Sequence, residues 1–122
     1  MINISIPNLS KLEKKYLIDC IDSNFVSAVG KYIKIFEDKF KKIEGSKFVS
    51  SVNSGTSAII VSMLALYSHF ESIDNNSYVI VPRLTFWATY QAVKLLGKKV
   101  ILVDVDDDYQ LDINIVRKII GK

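Results

Sequence analysis

The sequence predicts an α/β fold, an incomplete three-layer α/β/α arrangement with a mainly parallel sheet, preceded by two N-terminal helices. Three observations carry this. From residue 46 onward, short apolar runs of strand length alternate with runs of helical length, the pattern of strands joined by helical crossovers. Val100 to Val105 is apolar almost without alternation, as in a strand covered on both faces. Before residue 45 the apolar residues instead recur at helical spacing. This divides the chain into an N-terminal helical segment, 1–45, and the first part of an α/β domain, 46–122.

The elements follow in order. Ser10-Lys11-Leu12-Glu13 has the S-x-x-E form of a capping box and opens a helix with Leu12, Tyr16, Cys20 and Ile21 on one stripe. Asn24 to Gly30 breaks it. A second helix spans Lys31 to Ile43, with Ile33, Phe36, Phe40 and Ile43 on one face and Gly45 as its stop. Phe48 to Val52 reads as a strand, and Ser57 to Phe70 as a helix. Glu71 to Ser77 is a polar connection. Tyr78 to Val81 is a short strand halted by Pro82. Phe86 to Leu96 is helical and stops at Gly97. Val100 to Val105 is the third strand, Asp106 to Asp108 an acidic turn, and Asp112 the cap of a last helix, Ile113 to Ile120. Three strands are few for a parallel sheet that needs both faces covered, so the expectation is the front of a larger domain.

Composition narrows the function. With 122 residues, 49% of them hydrophobic, the chain is that of a folded protein. The net charge is +3, and the sixteen Lys and Arg residues are interleaved with acids. That pattern fits a solvated helix face, so no nucleic-acid partner is expected. No apolar run approaches the roughly 18 residues needed to span a bilayer, and the start, Met1 to Pro7, lacks the character of a signal peptide. The expectation is no membrane partner and a cytoplasmic location. The single cysteine, Cys20, permits no intrachain disulfide and reads as a small core residue. The single histidine, His69, stands alone and reads as a surface residue. Asp104, Asp106, Asp107 and Asp108 have the donors for a divalent cation, but such a run fits a solvated turn better. No metal site is expected.

Two segments have the chemistry of a binding site. Asn53-Ser54-Gly55-Thr56-Ser57-Ala58 is a small-residue turn between a strand and a helix start. Unpaired N–H groups and the positive end of the helix dipole meet there, and Thr56 and Ser57 add hydroxyl donors. A phosphate site and a simple N-cap both satisfy this pattern. Pro82-Arg83-Leu84-Thr85-Phe86-Trp87-Ala88-Thr89 also follows a strand and opens a helix. In an open α/β sheet, ligands bind beyond the carboxyl ends of the strands. Phosphate donors at Thr56–Ser57 and a flat face at Phe86–Trp87 would suit a pyridoxal phosphate site. Plain core aromatics remain the other reading. No G-x-G-x-x-G follows a strand, and no G-x-x-x-x-G-K-[ST] occurs.

The order and spacing of these motifs resemble the N-terminal third of the DegT/StrS-type sugar aminotransferases, which depend on pyridoxal phosphate and have the aspartate-aminotransferase-like fold type I. The resemblance rests on four elements in order. They are Ser27-Ala28-Val29-Gly30 followed by Phe36-Glu37; Ser54-Gly55-Thr56-Ser57-Ala58; Val79-Ile80-Val81-Pro82-Arg83-Leu84-Thr85-Phe86-Trp87-Ala88-Thr89; and Gly97 followed by Val100-Ile101-Leu102-Val103-Asp104. Gln91 stands where the family often has Asn, and Val100 where it has Pro.

The resemblance implies pyridoxal 5′-phosphate as cofactor. Thr56 and Ser57 would contact its phosphate, Gly55 would admit close backbone approach, and Phe86 would stack on the ring. Ser27 and Gly30, in the Asn24 to Lys31 loop, would lie near a nucleotide-sugar substrate. The implied activity is amino transfer from an amino donor to a nucleotide-linked keto-sugar, in amino-sugar and surface-polysaccharide biosynthesis, by a homodimer when complete. The family's cofactor-holding lysine, and the aspartate that pairs with the ring nitrogen, correspond to positions beyond residue 122. No catalytic residue is therefore assigned, and the chain alone is expected to be an inactive N-terminal fragment. The first family strand, here Phe48 to Val52, pairs with later sequence, so it is expected to lack a partner and the isolated chain to be marginal, partly molten or partner-dependent. Two other classes stay open: a non-catalytic binding or assembly module, and a small nucleotide-binding α/β domain using Thr56–Ser57 for phosphate and Asp104 for a ribose hydroxyl.

Overall fold

Ser10 starts the first helix as its sequence context requires. In the computed structural model, which describes residues 5–70 and 76–121, the Ser10 hydroxyl accepts from the Leu12 N–H at 3.1 Å, and Glu13 accepts from the Ser10 N–H at 2.7 Å. Both halves of the capping box are formed at the head of α1, Lys11–Asp22. These hydrogen bonds, the one from the Ser10 hydroxyl above all, hold the Glu13 carboxyl below its ordinary value. The chain leaves α1 through Asn24, whose φ of 60° is left-handed, and enters α2, Lys31–Glu44. Gly45, with φ 66°, ends α2, a conformation that costs glycine nothing.

α1 and α2 belong to the first of two compact units, Met1–Ser51 and Val52–Lys122. The rings of Tyr16 and Tyr32 lie 4.9 Å apart. Asp19 accepts from the Tyr32 hydroxyl at 2.8 Å and pairs with Lys31 at 2.6 Å. Neither helix has a buried residue, and Leu12, Leu17, Phe36, Phe40 and Ile43 are exposed. Cys20 is therefore not a core residue as expected. It is half-buried in an apolar groove with Tyr16, Leu17, Tyr32 and Phe36, because no described residue of this unit closes over it.

The strand expected over Phe48–Val52 does not form. A strand needs a neighbour to take its backbone bonds, and among the described residues the sheet offers none there. Ser51 bonds to a side chain instead: its N–H and its hydroxyl donate to Glu37 Oε1 at 2.8 and 2.9 Å. Those two bonds, the backbone one first, lower the Glu37 carboxyl from its reference value of 4.5. A carboxyl depressed in the folded state adds stability above its unfolded value and loses it as pH falls through the folded value. The anchoring of residues 48–51 to α2 is therefore expected to hold at pH 7 and to weaken from about pH 4.5 downward. Amide exchange of Ser51 against pH checks this. Glu37→Gln should remove the pH dependence of the protection factor, the observed rate taken relative to the intrinsic one at each pH. An unchanged protection profile in that variant would contradict the assignment.

The second unit has the alternation expected. α3 is Gly55–His69, β1 Tyr78–Pro82, α4 Trp87–Leu95, β2 Lys99–Val103 and α5 Ile113–Ile120. α3 begins two residues earlier than expected because Ser54 is its cap. Of the expected 71–77 connection, residues 71–75 lie outside the described residues. β1 and β2 are parallel, in register from Tyr78↔Lys99 to Pro82↔Val103, with α4 as the crossover that parallel pairing demands. Val105 falls outside β2 and bridges Leu111 in antiparallel fashion. Gly97, at φ 68°, turns the chain from α4 to β2.

α4 packs on both strands and on α3. Met63, Val81 and Val93 form the core, flanked by Ile59, Tyr67, Val79, Leu96 and Val100. Ala92 and Val103 are also buried. Lys98 is 7% exposed, and its Nζ lies 4.2 Å from the centre of the Tyr67 ring, a cation–π contact strengthened by desolvation. His69 is exposed and meets Phe70 edge-on at 4.7 Å, as expected for a surface residue. Among the described residues no helix is long and apolar enough to cross a membrane, and no group of three His, Cys, Asp or Glu could hold a metal. The acidic run is a built turn: Asp106 Oδ1 accepts from the Asp108 and Gln110 N–H groups at 3.0 and 2.9 Å.

Candidate functional site

α3 opens on three small residues. The Ser54 hydroxyl accepts from the Ser57 N–H at 3.1 Å, and the Ser54 carbonyl accepts from Ala58 at 3.0 Å. The helix's own bonding therefore begins at Ser57 and Ala58. Among the described residues the N–H groups of Gly55 and Thr56 have no partner, at the positive end of a 15-residue helix. The Ser57 hydroxyl donates to Asn53 Oδ1 at 2.8 Å and lies 3.0 Å from the Ser54 hydroxyl. This cap is polar, and the Ser54 and Ser57 hydroxyls are within hydrogen-bond reach of each other.

Gly55 has a specific place here. A Cβ built on it would meet nothing within 4 Å, and its φ is not left-handed. Neither packing nor backbone conformation requires glycine at this position. What glycine preserves is open space over the helix N-terminus.

That space is part of a cavity of about 310 Å³. Ser54, Gly55 and Thr56 form one side, and Phe86 and Thr89 contribute the other. Phe86 is the residue before α4, with extended backbone at φ −65° and ψ 137°, and the residue is 81% exposed. Thr56 and Thr89 are half-buried. No charged side chain is among the lining residues. The donors are backbone N–H groups, hydroxyls and a helix end, a set suited to an anion that arrives with its own charge. The structure thus brings Gly55, Thr56 and Phe86 to one cavity, whereas Ser57 is not among the lining residues and bonds to Ser54 and Asn53 within the cap.

Ser27 and Gly30 lie in the first unit. They line an apolar cavity of about 410 Å³ with Leu17, Cys20, Phe25 and Tyr32. A Cβ on Gly30 would stand 3.3 Å from the Phe25 carbonyl oxygen, so glycine here serves a close backbone approach within the loop. Asp104, the ribose candidate, accepts from its neighbour Val105 at 3.0 Å, and its other oxygen is 4.0 Å from Arg83.

Sequence reading missed Thr89 as a lining residue. The signal was present: Phe86 and Thr89 are three apart at a helix start, so they share a face of the first turn.

Residues 7–122 match the DegT/DnrJ/EryC1/StrS aminotransferase family. The chain belongs to this family. GDP-perosamine synthase of Escherichia coli O157:H7 is 36% identical over 118 residues, 95% of this chain and 31% of that protein. GDP-perosamine synthase of Vibrio cholerae is 34% identical over 123 residues, 100% of this chain and 32% of that protein. Among solved structures, E. coli GDP-4-keto-6-deoxy-D-mannose-3-dehydratase with bound hydrated PLP superposes with a TM-score of 0.82 at 29% identity. The match covers 97% of this chain and 31% of that one. The chain thus spans about a third of the length of the DegT-family proteins it matches. Its α/β architecture is that of these sugar aminotransferase-family folds.

Proposed function

We propose that this chain supplies the phosphate-binding and ring-stacking half of a pyridoxal 5′-phosphate site in an aminotransferase acting on a nucleotide-linked keto-sugar, in amino-sugar and surface-polysaccharide biosynthesis. The observation that carries the reading is the single cavity shared by Gly55, Thr56 and Phe86. In this reading the Gly55 and Thr56 N–H groups and the Thr56 hydroxyl hold the phosphate. Ser57 serves the same group, its proton exchanging Asn53 for the stronger charged acceptor. Phe86 lies against the pyridine ring. When bound, pyridoxal 5′-phosphate supplies the electron sink that amino-group transfer needs. The residues present fit it: a donor-rich, uncharged cup, an open space at Gly55 and an accessible aromatic face.

Ser27 and Gly30 are assigned to the side of the nucleotide-sugar substrate. Relatives named for GDP-sugars support that substrate class. No residue of this chain is assigned the role of the family's cofactor-holding lysine or of its ring-nitrogen aspartate, so in this reading the chain alone is inactive. The complete protein is a cytoplasmic homodimer that takes its nitrogen from an amino donor. Residues 1–45 are assigned as the helical segment and 46–122 as the first part of the cofactor domain.

Equilibrium dialysis tests the cofactor half of this reading. The chain should retain pyridoxamine 5′-phosphate and release pyridoxamine, which lacks the phosphate. Equal retention of both, or of neither, would contradict it. The pyridoxamine forms are the right probes because they make no adduct with surface lysines. For activity, the chain alone should aminate no GDP-linked keto-sugar. Turnover by this chain alone would contradict this reading.

A further inference from the structure

We infer that Thr89 is a cofactor-binding residue that donates a hydrogen bond to the phosphate from the α4 side of the cavity, and that Thr85 positions it. The inference rests on the reading of this cavity as a pyridoxal 5′-phosphate site.

Thr89 is the third residue of α4 and lines the same cavity as Thr56 and Phe86. Its backbone N–H is engaged, donating to the Phe86 carbonyl at 3.0 Å. The N-cap residue of α4, Phe86, has no side-chain oxygen to accept from the first turn and makes no side-chain cap bond. The Thr85 hydroxyl donates to Thr89 Oγ1 at 3.2 Å. A hydroxyl has one proton to give and two lone pairs. Thr89 thus accepts from Thr85, and among the described residues its own proton has no protein acceptor. An accepted bond also polarises the hydroxyl and makes it a better donor.

A half-buried hydroxyl in this position suits an acceptor inside the cavity. The ligand set assigned from the α3 side has that acceptor, a phosphate with several oxygens. Thr56 and Thr89 then grip it from two helices. Thr85 touches the ligand only through Thr89, so it is a positioning residue.

The chain contains one tryptophan, Trp87, next to Phe86 on α4. Its emission overlaps the absorption of pyridoxamine 5′-phosphate, so quenching reports binding without any turnover. Thr89→Val, which keeps the shape and removes the hydroxyl, should weaken binding of pyridoxamine 5′-phosphate about tenfold, the size of one hydrogen bond to a charged group. It should weaken inorganic phosphate, measured as a competitor, by a similar factor. Thr89→Ser should bind within about threefold of the parent. Thr89→Ala, which favours the helix more than threonine does, should weaken binding as the valine variant does and guards against a folding defect. Thr85→Val should cost less than Thr89→Val.

The inference is overturned if Thr89→Val and Thr89→Ala bind as the parent does while Thr56→Val binds weakly; the cofactor reading then survives without Thr89. It is also overturned if both Thr89 variants lose ring binding but keep phosphate competition. If the parent chain shows no quenching with pyridoxamine 5′-phosphate, the cofactor reading itself fails and the role of Thr89 fails with it.

Discussion

Gly55→Ala is expected to leave the fold intact, or to stabilise it by several tenths of a kcal/mol, while weakening binding of pyridoxamine 5′-phosphate at least tenfold. The two effects have opposite signs because glycine serves only one of them. An added Cβ meets no protein atom within 4 Å. Alanine also loses less backbone entropy on entering a helix, a difference of up to about 1 kcal/mol in helix interiors. The same Cβ is added to a residue that lines the cavity next to Thr56, where it is expected to crowd the approach of a phosphate to the Gly55 and Thr56 N–H groups. A hydrogen bond to a charged group is worth about 1.5–3 kcal/mol, and losing one corresponds to a factor of roughly 10 to 150 in affinity. Thermal unfolding by circular dichroism and ligand titration on the same sample measure both signs. A variant that binds as tightly as the parent would remove the role of Gly55 as an opening for the phosphate. A variant that unfolds would show that the glycine serves the fold instead.

Val93→Asp is expected to abolish cooperative folding of the second unit. Val93 is 2% exposed and touches the Met63 and Val81 cluster that joins α4 to α3 and β1. A carboxylate there has no partner, and isolated burial of an ion costs at least several kcal/mol. Domain stability is about 5–15 kcal/mol, and the second unit has a small core to draw on. The unit should lose amide protection across Tyr78–Pro82 and Lys99–Val103 together, since these strands hold each other. Val93→Thr, similar in shape, should retain the transition at a lower midpoint. Protection of β1 in the aspartate variant would place the core elsewhere.

Much of this was legible in the sequence because local chemistry decided it. The Ser10–Glu13 capping box, the stop at Gly45, the turn at Gly97 and the cap at Asp112 all depend on residues within one turn of each other. They occur in the structure where the sequence put them. The alternation from residue 78 onward was equally local, since β1, α4 and β2 form a complete crossover within 26 residues. What failed was non-local. Phe48–Val52 has the composition of a strand, but a strand exists only by pairing, and no described neighbour pairs with it. Cys20 sits on an apolar stripe, but a stripe becomes a core only when something covers it, and neither α1 nor α2 has a buried residue.

The candidate site shows the same division. Gly55, Thr56 and Phe86 were readable as motifs, each at a helix start. That Thr89 lines the same cavity follows from its three-residue spacing to Phe86, but which cavity the spacing serves needed the packing of α4 against α3. The internal bonding of Ser57 with Ser54 and Asn53 was not readable, because an N-cap and a phosphate cup use the same residues.

The central claim is that one cavity takes the phosphate through α3 and the ring through Phe86. Backbone amide shifts measured by NMR during titration test it most directly. Inorganic phosphate should move the Gly55 and Thr56 resonances. Pyridoxamine 5′-phosphate should move these and the Phe86 and Trp87 resonances at one shared saturation point. Shifts confined to lysine-rich segments such as Lys39 to Lys42, or a pyridine that moves Phe86 without moving Gly55 and Thr56, would contradict it.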